Sequence, residues 1–218
     1  MARMARLAMV IDLNRCTGCM ACSIACIREN IARQFSENVE LPEGNAIFYA
    51  RTKPAMIRGG PFGDVPYFIQ CMHCENPPCA AVCPTGATYK TKEGVVMLDH
   101  SKCIGCRACV IACPYAARTV YRGKMRGPAP HSEALAPGYP DKCTFCYHRA
   151  KEGDGKWVPA CVEACAFQAR FFGDLDDPNS IVHKLVSEGY AVALAPELGT
   201  KPKLFFVPPA KTHVMRRR

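Results

Sequence analysis

Long apolar runs are missing from this 218-residue chain. A bilayer-spanning helix needs roughly 20 consecutive apolar residues. The longest candidates, 190–196 and 204–208, fall far short, so the sequence does not read as an integral membrane protein. The N-terminal MARMARLAMVID carries Arg3 and Arg6, but its apolar stretch stops at Asp12 and no arginine pair stands near the start. That is too short for a signal-peptide core. The expectation is a chain without an export address of its own, which can still cross a membrane bound to a partner that has one. Catalytic patterns are also missing: no Ser-His-Asp logic, no glycine-rich phosphate loop, no paired acids in a readable motif. Their absence speaks against the chain being itself an enzyme.

What the sequence has in excess is cysteine, 16 residues, and positive charge, a formal +9. Apolar residues make up 49%, which excludes a disordered polyelectrolyte. The charge alone would suggest nucleic acid or an anionic surface; the cysteines change that reading.

They fall into four sets of four with none left over. The first is Cys16, Cys19, Cys22 and Cys26. The second is Cys71, Cys74, Cys79 and Cys83, followed by Pro84. The third is Cys103, Cys106, Cys109 and Cys113, followed by Pro114. The fourth is Cys143 and Cys146, then 14 residues, then Cys161 and Cys165. Disulfides would need an exported chain, and three cysteines within seven residues are a poor basis for separate bridges. Tetrahedral zinc usually takes two well-separated Cys-x-x-Cys pairs. The spacing C-x2-C-x2-C-x3-C-P, met to the residue by the third set, is the bacterial ferredoxin run, whose fourth cysteine ligates the other cluster. The sets therefore point to iron–sulfur clusters. Three cysteines at i, i+3 and i+6 wrap a loop around one cube, with Gly18 and Gly105 where the chain turns sharply. The fourth is expected to start a helix leading away toward the neighbouring cube. Four oxidised cubanes with their thiolates contribute about −2 each, about −8 together, leaving the loaded protein near +1 from 9 − 8. Much of the basic excess thus offsets cluster charge, and the nucleic-acid reading weakens.

Residues 9–26 (MVIDLNRCTGCMACSIAC) align without a gap on 96–113 (VMLDHSKCIGCRACVIAC), so one ferredoxin-like unit occurs at least twice. Each unit opens with a short strand, at 8–13 and at 95–98. Sets two and three, separated by 19 residues, read as one two-cluster ferredoxin. Sets one and four lack the following proline, having Ile27 and Ala166 instead, and pair by elimination. The expected architecture is α+β: two ferredoxin-like two-cluster domains in pseudo-twofold relation, joined by long loops. The outer domain would take 1–66 plus 136–218, and the inserted one 67–135. Residues 27–70 and 123–140 read as irregular connections and 88–98 as a hairpin turning near Gly94. Residues 166–175 read as a strand, 177–187 as a helix opened by Asp177-Pro178, and 201–207 as a strand or extended arm.

A basic residue precedes the first cysteine in three sets: Arg15, Lys102 and Lys142. Positive charge near a cluster raises its potential; a solvated surface charge is the plain alternative. His73 and His148 could hydrogen-bond cluster sulfur or face solvent, and a ligand role is not expected with four cysteines in every set. Trp157 reads as packing, not as an electron relay, and the basic tail 216–218 as a frayed terminus.

The four sets in this order resemble the four-cluster iron–sulfur subunits of molybdopterin oxidoreductase complexes, of polysulfide/thiosulfate reductase and dimethyl sulfoxide reductase type. IQCMHCENPPCAAVCPTGA, DKCTFCYHR, PACVEAC, GDLDDP and GTKPKLFF carry the resemblance. It implies a non-catalytic electron-transfer subunit that links a molybdenum bis-pterin catalytic subunit to an integral membrane quinone-reactive subunit, on the periplasmic face of the cytoplasmic membrane, with the cytoplasmic face as the alternative. The equivalent subunit of a formate dehydrogenase or hydrogenase complex, or a stand-alone polyferredoxin, is the alternative function. Some relatives carry Trp at the second position of set three and a three-iron cluster; Cys106 here implies four [4Fe–4S] clusters. Crossing the fourth cysteine within each pair of sets gives Cys16, Cys19, Cys22 and Cys165 for cluster 1; Cys26, Cys143, Cys146 and Cys161 for cluster 2; Cys83, Cys103, Cys106 and Cys109 for cluster 3; and Cys71, Cys74, Cys79 and Cys113 for cluster 4. The alternative is that each set builds its own cube. The wire is expected to run in that order, with the Cys16 cluster toward the molybdenum subunit and the Cys71 cluster toward the membrane.

Overall fold

The structure is a computed structural model that describes residues 5–30, 51–56, 66–120, 138–152 and 157–210. The N-terminal dodecapeptide and the tail 216–218 lie partly or wholly outside these residues, as does most of the two expected connections.

The largest sheet joins the two ends of the chain. Strand β1 (Leu7–Asp12) has β-branched and apolar residues throughout and is buried on both faces. It pairs antiparallel with β8 (Arg170–Asp174) and parallel with β10 (Leu204–Val207), which pairs in turn with the short β9 (Val192–Ala193). The order is β8-β1-β10-β9. Alternation along β1 assigns its two faces. Ala8 and Val10 pack under helix α6 (Ile181–Ser187) through Val182, while Met9 and Ile11, with Leu204 and Phe206, face the cysteine-rich core. The stretch 201–207, expected as a strand or extended arm, thus supplies an inner strand of the sheet. Helix α6 starts later than Asp177, because Asp177 accepts the Asn179 amide in a tight turn and Ser180 caps the helix by accepting the Val182 amide.

Short helices carry the cysteines. Helix α1 (Ala21–Asn30) holds Cys22 and Cys26, α2 (Pro78–Ala81) holds Cys79, α3 (Ala108–Ile111) holds Cys109, and α5 (Ala160–Glu163) holds Cys161. The third cysteine of each set therefore sits in a helix. In three sets the fourth lies just past its end, which corrects the expectation that it starts one. The physical reason is length: the x3 spacing spans about one helical turn, so the turn that seats the third cysteine delivers the fourth beyond it. Set one differs because α1 continues through Cys26 to Asn30. Helix α1 packs on α5, and α2 on α3, so the helices of sets one and four meet, as do those of sets two and three.

The remaining elements are small antiparallel pairs. Strands β2 (Thr52–Met56) and β3 (Pro66–Gln70) lie inside the stretch expected to be irregular. Strands β4 (Thr88–Lys90) and β5 (Val96–Leu98) form the expected hairpin, and β6 (Thr119–Val120) pairs with β7 (Pro140–Asp141). Helix α4 (Tyr147–Glu152) follows the first half of set four. The mixture of helices and sheets is α+β. No helix among the described residues is long and apolar enough to cross a membrane.

Candidate metal centre

Each set turns at the same point. The residue before the second cysteine is left-handed in all four: Gly18 (φ 72°), His73 (φ 44°), Gly105 (φ 71°) and Phe145 (φ 53°). Glycine adopts this conformation freely, whereas an L-residue there costs about 1–2 kcal/mol. At 73 and 145 that cost goes with ring burial. Both rings are fully buried and stack with centroids 3.7 Å apart. Sets two and four thus meet through their turns.

All sixteen thiols are free. One hollow is lined by Cys71, Cys74, Cys79 and Cys113 and encloses, with its mouth, about 340 Å³. A second is lined by Cys83, Cys103, Cys106 and Cys109 and encloses about 280 Å³. In each, three cysteines come from one set and the fourth from its partner set. Cys26, Cys143, Cys146 and Cys161 are all buried and interact electrostatically, and the Asn30 amide lies 3.6 Å from the Cys26 sulfur and 4.0 Å from that of Cys146. Cys16, Cys22 and Cys165 share the field of Arg170, and Cys19 stands exposed beside them in sequence. The thiols surround space instead of converging on a point: among the described residues no three Cys, His, Asp or Glu side chains group closely enough for one metal ion. A cubane fits such quartets because each thiolate binds a different corner.

Burial pushes the thiols upward, Cys74 and Cys161 to about 12, and also raises Cys22, Cys26, Cys71, Cys109, Cys143 and Cys146. Cys83 goes the other way, because hydrogen bonds from Thr88 and Thr85 outweigh its slight burial. Thiolates in such surroundings need positive charge close by, and iron would supply it. Buried donors without a protein partner supply a second test of fit. Among the described residues His73 Nε2, Arg118 Nε and Arg170 Nη2 have none. The Val96 amide donates to His73 Nδ1 at 3.1 Å, so the ring proton is on Nε2. Burial holds His73 well below its ordinary value and keeps it neutral. These orphan N–H groups beside cysteine quartets suit acceptors such as cluster sulfur. The residues fit iron–sulfur clusters.

The basic residues before the cysteines divide. Arg15 and Lys102 are exposed and pair with Asp12 and Asp99 at equivalent repeat positions. Lys142 is 1% exposed and donates to the Val96 and Cys143 carbonyls. Burial lowers its pKa, against Cys71 and Cys143, which raise it. His148 bonds Glu29 at 2.7 Å. The Trp157 indole donates to the Phe145 carbonyl at 2.7 Å and packs on Tyr147 and Phe172, which is the packing role expected of it.

Sequence reasoning missed Arg118 and Arg170. Arg118 is 5% exposed and donates to the Cys109 sulfur at 3.2 Å; Arg170, also 5% exposed, lies 3.8 Å from the Cys161 sulfur and donates to Gln70 at 2.9 Å. Burial works against both guanidiniums, but the surrounding cysteines outweigh it and raise them. The signal was present: each arginine stands five residues after the fourth cysteine of its set, Cys113 and Cys165.

The order of the quartets departs from expectation at one end. Arg170 interacts with Cys16, Cys22 and Cys165 on one side and Cys161 on the other. Lys142 interacts with Cys143 and with Cys71 and Cys79, and Arg118 with Cys71 and Cys79 and with Cys109. The Cys71 quartet thus adjoins the Cys143 quartet, and the Cys103 quartet lies outermost. Exposure agrees: the fully exposed cysteines are Cys19 and Cys106. The sequence-based order reversed the last two positions, because sequence proximity pairs sets without saying which member of a pair faces inward.

A family model described as a 4Fe-4S dicluster domain matches residues 65–175. The chain is 38% identical to a putative dimethyl sulfoxide reductase iron–sulfur subunit of Halobacterium salinarum, over 91% of this chain and 78% of that one. It is 39% identical to a sulfite dehydrogenase subunit of Allochromatium vinosum, over 97% and 86%. It is 35% identical to the arsenate respiratory reductase iron–sulfur subunit of a Shewanella species, over 93% and 96%. The chain belongs to this 4Fe-4S dicluster family, among the iron–sulfur electron-transfer subunits of molybdopterin oxidoreductase complexes. It carries electrons and is not the catalytic subunit; its cofactors are [4Fe–4S] clusters, and its 16 cysteines meet the demand of four.

Proposed function

We propose that this chain is a four-cluster wire whose clusters are held by the crossed quartets Cys16/Cys19/Cys22/Cys165, Cys26/Cys143/Cys146/Cys161, Cys71/Cys74/Cys79/Cys113 and Cys83/Cys103/Cys106/Cys109, in that spatial order. The observation that carries the reading is the pair of hollows, each lined by three cysteines of one set and the fourth of its partner. Clusters bound there supply one-electron transfer. The protein's own residues hold the thiolates at fixed spacing, exclude water from the two inner quartets and offer N–H donors to them. The two domains would be 1–66 with 136–218 and 67–135, related by a pseudo-twofold; the packing of α1 on α5 and of α2 on α3 supports this partition.

The exposed ends, at Cys19 and Cys106, are where electrons enter and leave. Apolar side chains stand exposed near both: Ile24 at 62%, and Ile104 and Ile111 at 63% and 86%. Such side chains fit burial against partner subunits. The Cys16 end would meet a molybdopterin catalytic subunit, and the Cys103 end a membrane quinone-reactive subunit, on the periplasmic face of the cytoplasmic membrane. Fractionation that finds the complex on the cytoplasmic side overturns that placement.

Ligand replacement tests the crossing. Changing Cys165→Ala should damage the Cys16 cluster and leave the Cys143 cluster spectroscopically intact. The reverse result would mean that each set builds its own cube.

A further inference from the structure

Four cysteine quartets in a row have three gaps between them, and each gap holds one buried cation. Arg118 lines the Cys71 hollow and donates to Cys109 of the Cys103 quartet; Lys142 bonds the carbonyl of Cys143 and that of Val96, which lines the Cys71 hollow; Arg170 lies 3.8 Å from the Cys161 sulfur and interacts with Cys16, Cys22 and Cys165. Among the described residues none of the three has a carboxylate within 4 Å. The other deeply buried cations do: Arg51 binds Asp141 at 2.7 Å, and Lys203 reaches Glu75 at 3.4 Å. The three gap cations are 5%, 1% and 5% exposed.

A buried charge left without a counter-charge is strongly disfavoured. Three cannot stand uncompensated, and among the described residues no carboxylate is placed to neutralise them. What surrounds them is sulfur. Arg118 already donates to Cys109, and among the described residues Arg118 Nε and Arg170 Nη2 have no hydrogen-bond partner. The negative charge that compensates them must come from the loaded quartets, each bringing about −2 when oxidised and one more when reduced.

We propose that Arg170, Lys142 and Arg118 are the shared counter-charges of adjacent clusters, each raising the potentials of the two clusters it separates. A cation in a low-dielectric gap favours the more negative, reduced state of both neighbours. Lys142 is the one that joins the two halves of the chain. This inference rests on the ligand assignment above.

The test is a potentiometric titration of the loaded protein in its complex, followed by electron paramagnetic resonance, with iron counted in every sample. Neutralising a gap cation should lower two potentials and spare two. Lys142→Gln should shift the Cys143 and Cys71 clusters, Arg118→Gln the Cys71 and Cys103 clusters, and Arg170→Gln the Cys16 and Cys143 clusters. The expected size is at least about tenfold in the reduced-to-oxidised ratio at fixed potential, about 59 mV for one electron. Lys142→Arg, Arg118→Lys and Arg170→Lys should stay near the wild type. Four intact clusters that do not move, or that all move equally, overturn the inference while leaving the ligand assignment standing. A wild type with fewer than four clusters fails the assignment instead. If the neutral variants lose iron while the charge-preserving ones keep it, the counter-charge role holds; if both classes lose it, the side chains act by shape and the proposal falls.

Discussion

At the scale of single residues, the same sequence context can lead to opposite fates. Arg15, Lys102 and Lys142 each precede a cysteine, yet the first two make surface ion pairs and the third is internal. The repeat explains the first two, since Asp12 and Asp99 occupy equivalent positions. The third lacks that partner, having Tyr139 at the equivalent position, and its burial comes from the meeting of two halves far apart in sequence. Glu29 shows how one residue fastens sets one and four together. It accepts two bonds from Arg149 at 2.8 Å and one from His148 at 2.7 Å. The Arg149 bonds, opposed by some burial and aided by His148, lower its carboxyl from 4.5 to about 2. A depressed carboxyl stabilises the fold fully above its unfolded pKa, and the gain is lost as pH falls through the folded one. Glu29→Gln should therefore cost about 1–3 kcal/mol at neutral pH. The difference from wild type should narrow below pH 4.5 and close toward about 2. Anaerobic urea unfolding followed by cluster absorbance at several pH values measures it; a difference that does not change with pH would refute the assignment.

At the scale of elements, the cysteine sets and the alignment of 9–26 on 96–113 made the repeated unit legible, down to strands β1 and β5 and the left-handed turns at Gly18 and Gly105. The turns at His73 and Phe145 were not legible, because neither residue type favours that conformation; they hold it for the stacked pair between the halves. The parallel pairing of β1 with β10 was equally hidden, since register between chain ends is set by the shared core beneath Met9, Ile11, Leu204 and Phe206. Helix α1 outlasts its counterparts, and Ile27, standing where sets two and three have proline, permits it to continue; α5 ends at Glu163 although Ala166 would permit the same. Its last turn carries Glu29 and Asn30, and Asn30 accepts from Arg51 at 2.8 Å. Ile27→Pro would remove a backbone donor and clash with the preceding turn, at about 3 kcal/mol or more. The expected outcome is loss of order in that turn and a labile Cys143 cluster, seen as reduced iron retention, whereas Ile27→Ala should keep its iron.

For the whole molecule, the clusters take the place that a larger apolar core would fill. The main core already contains Cys22, Cys71, Cys74, Cys143 and Cys161 among Phe68, Phe145, Leu204 and Phe206. The Cys71 hollow lies within this core and a bound cluster fills it. The buried gap cations lose their counter-charge when the clusters go, and one unpaired buried charge costs several kcal/mol. Loaded protein should hold about 16 iron and 16 sulfide per chain, from four cubanes, and anaerobic chelation of that iron should unfold it. Far-ultraviolet circular dichroism and amide dispersion during chelation decide the matter. Collapse of both in step with iron loss is the expected result, while a well-dispersed apo-protein would show that sheet β8-β1-β10-β9 and its helix stand without the clusters, and that the cubanes are guests in a fold stable by itself.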